Sequence, residues 1–150
     1  MGSSGSWSPK EFPNLNQQNH EITSEGARSY NCFAWAAGET KVRWDPDIMG
    51  QYYWPPGVER GETREAVVAA YQTLGYEECV DASLEVGFEK IAIYEHADGT
   101  ATHATRQLTN GKWTSKLGDF EDIEHDTLDC LDGPLYGRAI IYLKRKSTLT

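Results

Sequence analysis

Apolar residues recur with a helical period in the first half of the chain and with a strand period in the second half. The segment 63–74 predicts a helix capped by Thr63, because its apolar residues return at spacings of three and four. A shorter apolar run, Ser29 to Ala37, predicts a second helix with Asn31 or Ser29 as its N-cap. The first half of the chain is therefore expected to supply the helices.

The second half alternates apolar and polar residues, which is typical of half-buried strands. Four strands are predicted, over Phe88 to Tyr94, Thr102 to Leu108, Trp113 to Leu117 and Tyr136 to Leu143. Asn110-Gly111 joins the second strand to the third and is a strong hairpin signal. The acidic segment 119–131 predicts a short helix or an irregular excursion. Helices followed by strands indicate an α+β fold with an antiparallel sheet of about four to five strands.

A chain of 150 residues predicts a single domain. Residues 1–28 are polar and are expected to form a flexible leader and an extended lead-in. Residues 29–146 are expected to form the α+β domain, and residues 147–150 a tail. No internal repeat or long linker divides this region.

The formal net charge of −9 argues against nucleic acid and anionic membranes as partners, because no basic stretch could neutralise phosphates. No apolar run approaches the roughly 20 residues that cross a bilayer, and the N-terminus lacks a signal-peptide pattern. The three cysteines show no C-x-x-C spacing. A reducing, cytoplasmic setting is therefore expected for the chain as encoded.

Cys32 is the candidate nucleophile because it lies at the predicted start of a helix. The positive end of the helix dipole is expected to stabilise a thiolate there and to lower the pKa of the thiol. A nucleophilic cysteine also needs a base, and His103 at the start of a strand is the best candidate. The oxyanion of the intermediate would bind the backbone N–H of Cys32 and a second donor from Asn31, Tyr30 or Trp35.

The third catalytic position depends on the length of the hairpin loop. A three-residue loop over 109–111 places Ser115 on the same face of the sheet as His103. A two-residue loop places Thr114 and Lys116 on that face instead, and Asp119 then becomes the alternative group that orients the imidazole.

The segment from His103 to Ser115, with its central Asn110-Gly111, resembles the histidine hairpin of NlpC-type cell-wall peptidases. This resemblance implies a papain-like, NlpC-type fold in which a cysteine helix packs on an antiparallel sheet. The third polar residue of those enzymes corresponds to Ser115, where the family usually has His, Asn or Gln.

The chain also resembles a set of bacterial proteins that begin with Asn-Cys-x-Ala-Trp-Ala and continue with Trp-Thr-Ser-Lys-Leu-Gly and Tyr-Gly strands. Papain-fold domains of bacterial toxins and effectors have a similar layout, which corresponds here to residues 115–118, His125 and Tyr136-Gly137. The likeness to effectors implies export as an alternative destination. His125 itself is expected to be structural or exposed, since it lies in an acidic stretch.

The sequence predicts a cysteine hydrolase or acyl-transfer enzyme that acts on amide bonds through a thioester. A peptide or protein substrate is expected, either a peptidoglycan stem peptide or a protein glutamine or peptide bond. The candidate catalytic residues are Cys32, His103, Ser115 and Asp119, and the candidate substrate-binding residues are Asn31, Trp35, Trp54 and Lys116. No cofactor is expected, and no metal, because Cys32, His103 and His125 lack the close spacing of a ligand set.

The alternative is a non-catalytic binding or immunity-type module that uses the aromatic segment 44–54 as its contact surface. The two hypotheses differ in the site they require. An enzyme needs the Cys32 sulfur on the order of 3–4 Å from a His103 nitrogen in an open cleft, whereas a binding module would leave Cys32 buried.

Overall fold

The computed structural model describes residues 7–25, 29–117 and 121–147. Within these ranges the chain forms two short helices, seven strands and a 3-10 turn at Leu128–Leu131. The helices are α1 (Cys32–Ala36) and α2 (Arg64–Gln72). The strands are β1 (His20–Ser24), β2 (Glu77–Cys79), β3 (Phe88–Glu95), β4 (Ala101–Gln107), β5 (Trp113–Lys116), β6 (Asp122–His125) and β7 (Arg138–Lys146).

All seven strands belong to one antiparallel sheet, in the order β1-β6-β5-β4-β3-β7-β2. The prediction of a papain-like, NlpC-type α+β fold with about four to five strands is therefore wrong. The sheet dominates the molecule, and its helices have only 5 and 9 residues.

The three strands that the sequence pattern did not predict are short or polar. β2 consists of Glu-Glu-Cys, and β6 lies in the acidic segment that was expected to be helical or irregular. β1 lies in the polar lead-in and pairs with β6, with Ile22 opposite Ile123. Such strands carry too few apolar residues to show a period of two, so long-range pairing rather than local pattern determines them.

The two faces of the sheet carry separate hydrophobic cores. One face packs against both helices through Ile91, Ile93 and Ala104. The opposite face buries a second cluster that includes Tyr94, Ile123 and, from outside the strands, Phe12 and Tyr136. Because successive strand residues point to opposite faces, His103 and Ala104 belong to different faces of β4.

The helix α1 begins where the sequence pattern predicts a cap. Asn31 has extended backbone, and its side-chain oxygen accepts a hydrogen bond from the Ala34 N–H at 3.1 Å. The same side chain accepts from the Trp44 N–H at 3.0 Å and donates to the Trp44 carbonyl at 2.7 Å. Asn31 therefore fixes both the start of α1 and the path of the aromatic segment, and α1 packs on β4 and β5.

Among the described residues, no helix has the length and apolar character that crossing a membrane requires.

Candidate active site

Cys32 is the first residue of α1, as the sequence pattern predicts, but its environment is different from the one expected. The thiol is only 7% exposed, and burial raises its pKa to about 11. The backbone of Ala104, Phe33 and Cys32 itself lowers the pKa, without offsetting burial. The expectation of a lowered pKa is therefore wrong, because desolvation outweighs the dipole of a five-residue helix.

His103 lies on β4, next to Ala104, whose backbone lowers the pKa of Cys32. Its ring is fully buried and stacks on Tyr136, with ring centroids 4.1 Å apart and an interplanar angle of 8°. Burial holds the pKa of His103 well below its usual value, and the nearby His125 lowers it further. The imidazole is therefore neutral at physiological pH.

No hydrogen bond joins Cys32 to His103 among the described residues, and both side chains are buried. The direct sulfur–nitrogen contact that an enzyme requires is therefore absent from the described part of the chain, and Cys32 is buried as a binding module would leave it. The two residues are neighbours through the backbone of Ala104.

Ser115 lies on the same face of the sheet as His103. β4 and β5 pair Arg106 with Thr114, and the Leu108 N–H donates to the Lys112 carbonyl, so the hairpin has the three-residue loop. The Ser115 hydroxyl oxygen is 3.1 Å from Nε2 of His103. Of the two loop lengths that the sequence allowed, the structure has the one that brings these side chains together.

His125 extends this contact into a buried chain of hydrogen bonds that the sequence analysis missed. Its Nε2 is 2.8 Å from the Ser115 hydroxyl oxygen, and its Nδ1 is 2.9 Å from the carbonyl oxygen of Thr127. Of the two expectations for His125, exposure is wrong, because the residue is buried on β6 opposite Trp113. A structural role stays a prediction. The signal available in the sequence was the histidine of the effector-like motif.

The hydrogen-bond chain determines which nitrogen of His103 carries the proton. A carbonyl only accepts, so Nδ1 of His125 donates to Thr127 and its Nε2 accepts. Thr105 donates its own hydroxyl to the Thr114 carbonyl at 2.8 Å. The Ser115 proton therefore goes to His125 or Thr105, which leaves its oxygen to accept from Nε2–H of His103.

The Nδ1 atom of His103 consequently keeps a lone pair, and it is buried without a hydrogen-bond partner among the described residues. A buried polar atom without a partner costs stability, so its retention is typical of a functional site. This nitrogen can therefore accept a proton without first losing a hydrogen bond to another described residue.

The three candidate oxyanion donors are all used within the fold. The Trp35 indole donates to the Thr114 hydroxyl at 3.0 Å, the Tyr30 hydroxyl donates to Asp122, and the Asn31 amide donates to Trp44. The single donors of Trp35 and Tyr30 therefore cannot stabilise an oxyanion without rearrangement, whereas the Asn31 amide has a second N–H.

The remaining predicted site residues are dispersed. Trp54 is buried and donates its indole N–H to the Glu59 carbonyl at 3.0 Å. Lys116 is buried on the face opposite His103, with its ammonium 5.3 Å from the centre of the Tyr30 ring. Asp119 lies outside the described residues. No group of three or more His, Cys, Asp or Glu side chains in the described part of the chain is arranged to hold a metal ion.

The fold and the site together define a small β-sheet protein with a buried cysteine at the start of α1 and a buried histidine–serine–histidine chain across β4, β5 and β6. The chain belongs to the family described as a domain of unknown function, DUF7689, which it matches over residues 21–144. This range extends from β1 into β7 and includes every residue of the hydrogen-bond chain. No curated protein and no solved structure matches the chain.

Proposed function

We propose that the protein is a cysteine hydrolase or acyl-transfer enzyme that acts on amide bonds, with Cys32 as nucleophile and Nδ1 of His103 as base. The observation that carries this proposal is the hydrogen-bond chain from Thr127 through His125 and Ser115 to Nε2 of His103. It leaves the Nδ1 lone pair available on the strand that contacts the Cys32 sulfur.

The reaction starts from a neutral pair, because the pKa of Cys32 is about 11 and that of His103 is well below its usual value. Nδ1 of His103 makes no hydrogen bond to Cys32 in the structure, so the reaction requires the two side chains to approach when the substrate binds. The thiol proton then moves to Nδ1 as the sulfur attacks the carbonyl carbon of the substrate. The imidazolium then returns the proton to the leaving amine, and a thioester remains on Cys32. Water or an amine attacks the thioester while Nδ1 takes its proton, and the imidazolium gives that proton to the Cys32 sulfur as the carbon–sulfur bond breaks.

Ser115 and His125 act as positioning residues in this scheme, because they fix the tautomer and the plane of His103 without contacting the substrate. When His103 becomes protonated, Ser115 still accepts from Nε2–H, so the hydrogen-bond chain need not rearrange during the reaction. The substrate is a peptide or protein. A reducing compartment suits the proposal, since the cysteines of the described residues are all free thiols.

A second candidate function is the non-catalytic binding module, and the burial of Cys32 favours it. The segment 44–54 packs Trp44 and Trp54 into the core but leaves Tyr52, Tyr53 and Met49 exposed. This candidate requires no reactivity at Cys32.

Acylation by p-nitrophenyl acetate, followed at each cysteine by peptide mass, distinguishes the two functions. Cys130 is the internal control, because it is at least as buried as Cys32 and its sulfur contacts the Thr127 hydroxyl and the Asn19 carbonyl. We expect Cys32 to be acetylated and then deacetylated faster than Cys130. His103→Gln should slow the acetylation on the order of 100-fold, the typical contribution of a general base.

Two outcomes would overturn the proposed enzymatic function. Cys32 could react no faster than Cys130 in the wild-type protein, which needs no variant to interpret. Alternatively, His103→Gln could retain its fold by circular dichroism and still acetylate Cys32 at the wild-type rate. Cys79→Ser serves as the matched control substitution, since Cys79 is on β2 at the far edge of the sheet.

A further inference from the structure

A cavity of about 340 Å³ lies beside the proposed catalytic pair. Two of its lining residues, Asn31 and Phe33, flank Cys32 in the chain. Tyr136 also lines it and stacks on the His103 ring. Burial raises the pKa of Tyr136 well above its usual value, with the nearby Cys32 as a lesser cause.

The walls of the cavity are aromatic. Phe33, Trp44 and Tyr136 contribute three rings, and Trp44 is held in place by its stacking on Tyr71, with ring centroids 5.9 Å apart. Aromatic faces carry a negative quadrupole and attract cations. The walls alone therefore accommodate an alkyl chain that ends in a positive charge.

The charged side chains of the lining are acidic. Asp45 and Glu62 line the cavity, and no lysine or arginine does so among the described residues. Asp45 is half-buried and Glu62 is exposed. Their carboxylates form no ion pair or hydrogen bond within the described part of the chain, although nearby Arg60 donates to the backbone carbonyl of Asp45 at 3.3 Å. Both carboxylates are therefore available to a ligand.

His96 is the remaining side chain of the lining that matters for charge, and it is tied to the backbone. The Nε2 of His96 donates to the carbonyl oxygen of Leu135 at 2.9 Å. The net charge of −9 also attracts a basic ligand from a distance and repels an acidic one. The two carboxylates of the lining and the net charge thus have the same sign, and Arg43, which slightly lowers the pKa of Cys32, is outside the lining.

We propose that this cavity is the substrate-binding site and takes an ammonium or guanidinium group adjacent to the scissile amide. The substrate class is therefore a basic peptide or a basic segment of a protein. The catalytic part of this statement rests on the proposed function, whereas the binding of a cation does not. The cation comes either from a lysine or arginine side chain or from a free α-amine.

Binding of small blocked amino acids, followed by NMR titration, tests the proposal without turnover. N-acetyl-lysine methylamide presents a side-chain ammonium, and N-acetyl-norleucine methylamide is its neutral match. Alanine methylamide with a free α-amine represents the second source of the cation. We expect at least one cationic probe to bind about tenfold more tightly than norleucine at low salt, with shifts at Trp44 and Tyr136.

Asp45→Asn combined with Glu62→Gln should abolish this preference, whereas Glu77→Gln on the far strand β2 should retain it. The proposal is wrong if norleucine binds as tightly as both cationic probes, or if the double variant keeps the preference. Cys32→Ser should bind the probes unchanged. If the cavity binds cations but Cys32 is not acetylated, the binding site stands and the enzymatic function is wrong. If Cys32 is acetylated but the cavity shows no preference for cations, the enzymatic function stands and the cation site is wrong.

Discussion

The two buried histidines are expected to make the stability of the protein depend on pH. Burial lowers the pKa of His125 from 6.5 to about 4, with Asp126 raising it and His20 lowering it as lesser effects. The folded chain thus binds this proton more weakly than the unfolded chain does. The contribution of His125 to the free energy of unfolding is fully present above its unfolded pKa near 6.5 and is lost as the pH falls toward 4.

Between roughly pH 8 and pH 5 His125 becomes protonated in the unfolded chain but stays neutral in the folded one. We expect this difference to remove about 2 kcal/mol from the free energy of unfolding. Urea denaturation of the wild type and of His125→Gln at both pH values measures this difference. The variant should lose less stability on acidification by about that amount. Equal losses in the two proteins would show that His125 is not held neutral by the fold.

The tautomer of His103 is a second property of single residues that can be measured. We expect nitrogen-15 NMR to find the proton on Nε2, because the Ser115 oxygen is its acceptor. Ser115→Ala removes this acceptor and should give a mixture of tautomers. Ser83→Ala is the control, since that exposed serine bonds only to Asp81. A proton on Nδ1 in the wild type would contradict the proposed direction of the hydrogen bonds.

At the scale of elements, the connection into β7 depends on a glycine that passes very close to β3. Gly137 has a φ of 77°, and a Cβ built on it would lie 2.1 Å from the carbonyl oxygen of Glu95. Its neighbour Tyr136 stacks on His103. The close approach of the two backbones therefore also sets the position of the ring that covers the imidazole.

We expect Gly137→Ala to destabilise the protein by more than about 3 kcal/mol, because backbone must move to relieve the contact. Gly99→Ala is the matched control. It has a similar φ of 88° and open space around a Cβ, so it should cost only about 1–2 kcal/mol of backbone strain. Thermal or urea denaturation of both variants checks the difference, and equal losses would mean that the contact with Glu95 is unimportant.

At the scale of the whole molecule, the N-terminal segment completes the sheet. β1 covers the edge of β6, and Phe12 is buried against Tyr136 in the core of the second face. We expect deletion of residues 1–24 to destabilise the protein by more than Phe12→Ala, which itself should cost about 3–5 kcal/mol.

Removal of β1 also exposes β6 as a new edge, so the deletion should increase association as well as lower stability. Urea denaturation and light scattering of the two variants measure both effects. A deletion variant as stable and as monodisperse as the full chain would show that β1 is dispensable.

The features that local pattern could predict are those that a short stretch of chain determines. The long strands β3, β4 and β7 lie where alternation of apolar residues placed them, and Asn31 is one of the two caps that the sequence allowed for α1. The Asn110-Gly111 turn predicted a hairpin with one of two loop lengths, and only the three-residue loop places Ser115 on the face of His103. Each of these depends on residues close together in the sequence.

The features that could not be predicted depend on contacts between segments that are far apart in the sequence. The pairing of β1 with β6 joins two polar segments whose contact no local period reveals. The raised pKa of Cys32 results from burial by both the helix layer and β4, which a helix-dipole argument omits. His125 acquires its role only because β6 returns beside β5.

The stacking of Tyr136 on His103 gives the site a spectroscopic label of its own. Protons held over the face of an aromatic ring are shielded by its ring current, and the His103 ring lies parallel to Tyr136 with centroids 4.1 Å apart. The carbon-bound protons of this imidazole should therefore resonate upfield of ordinary histidine signals. Events at Cys32 or in the cavity that shift Tyr136 can then be observed directly, without attaching a probe to the protein.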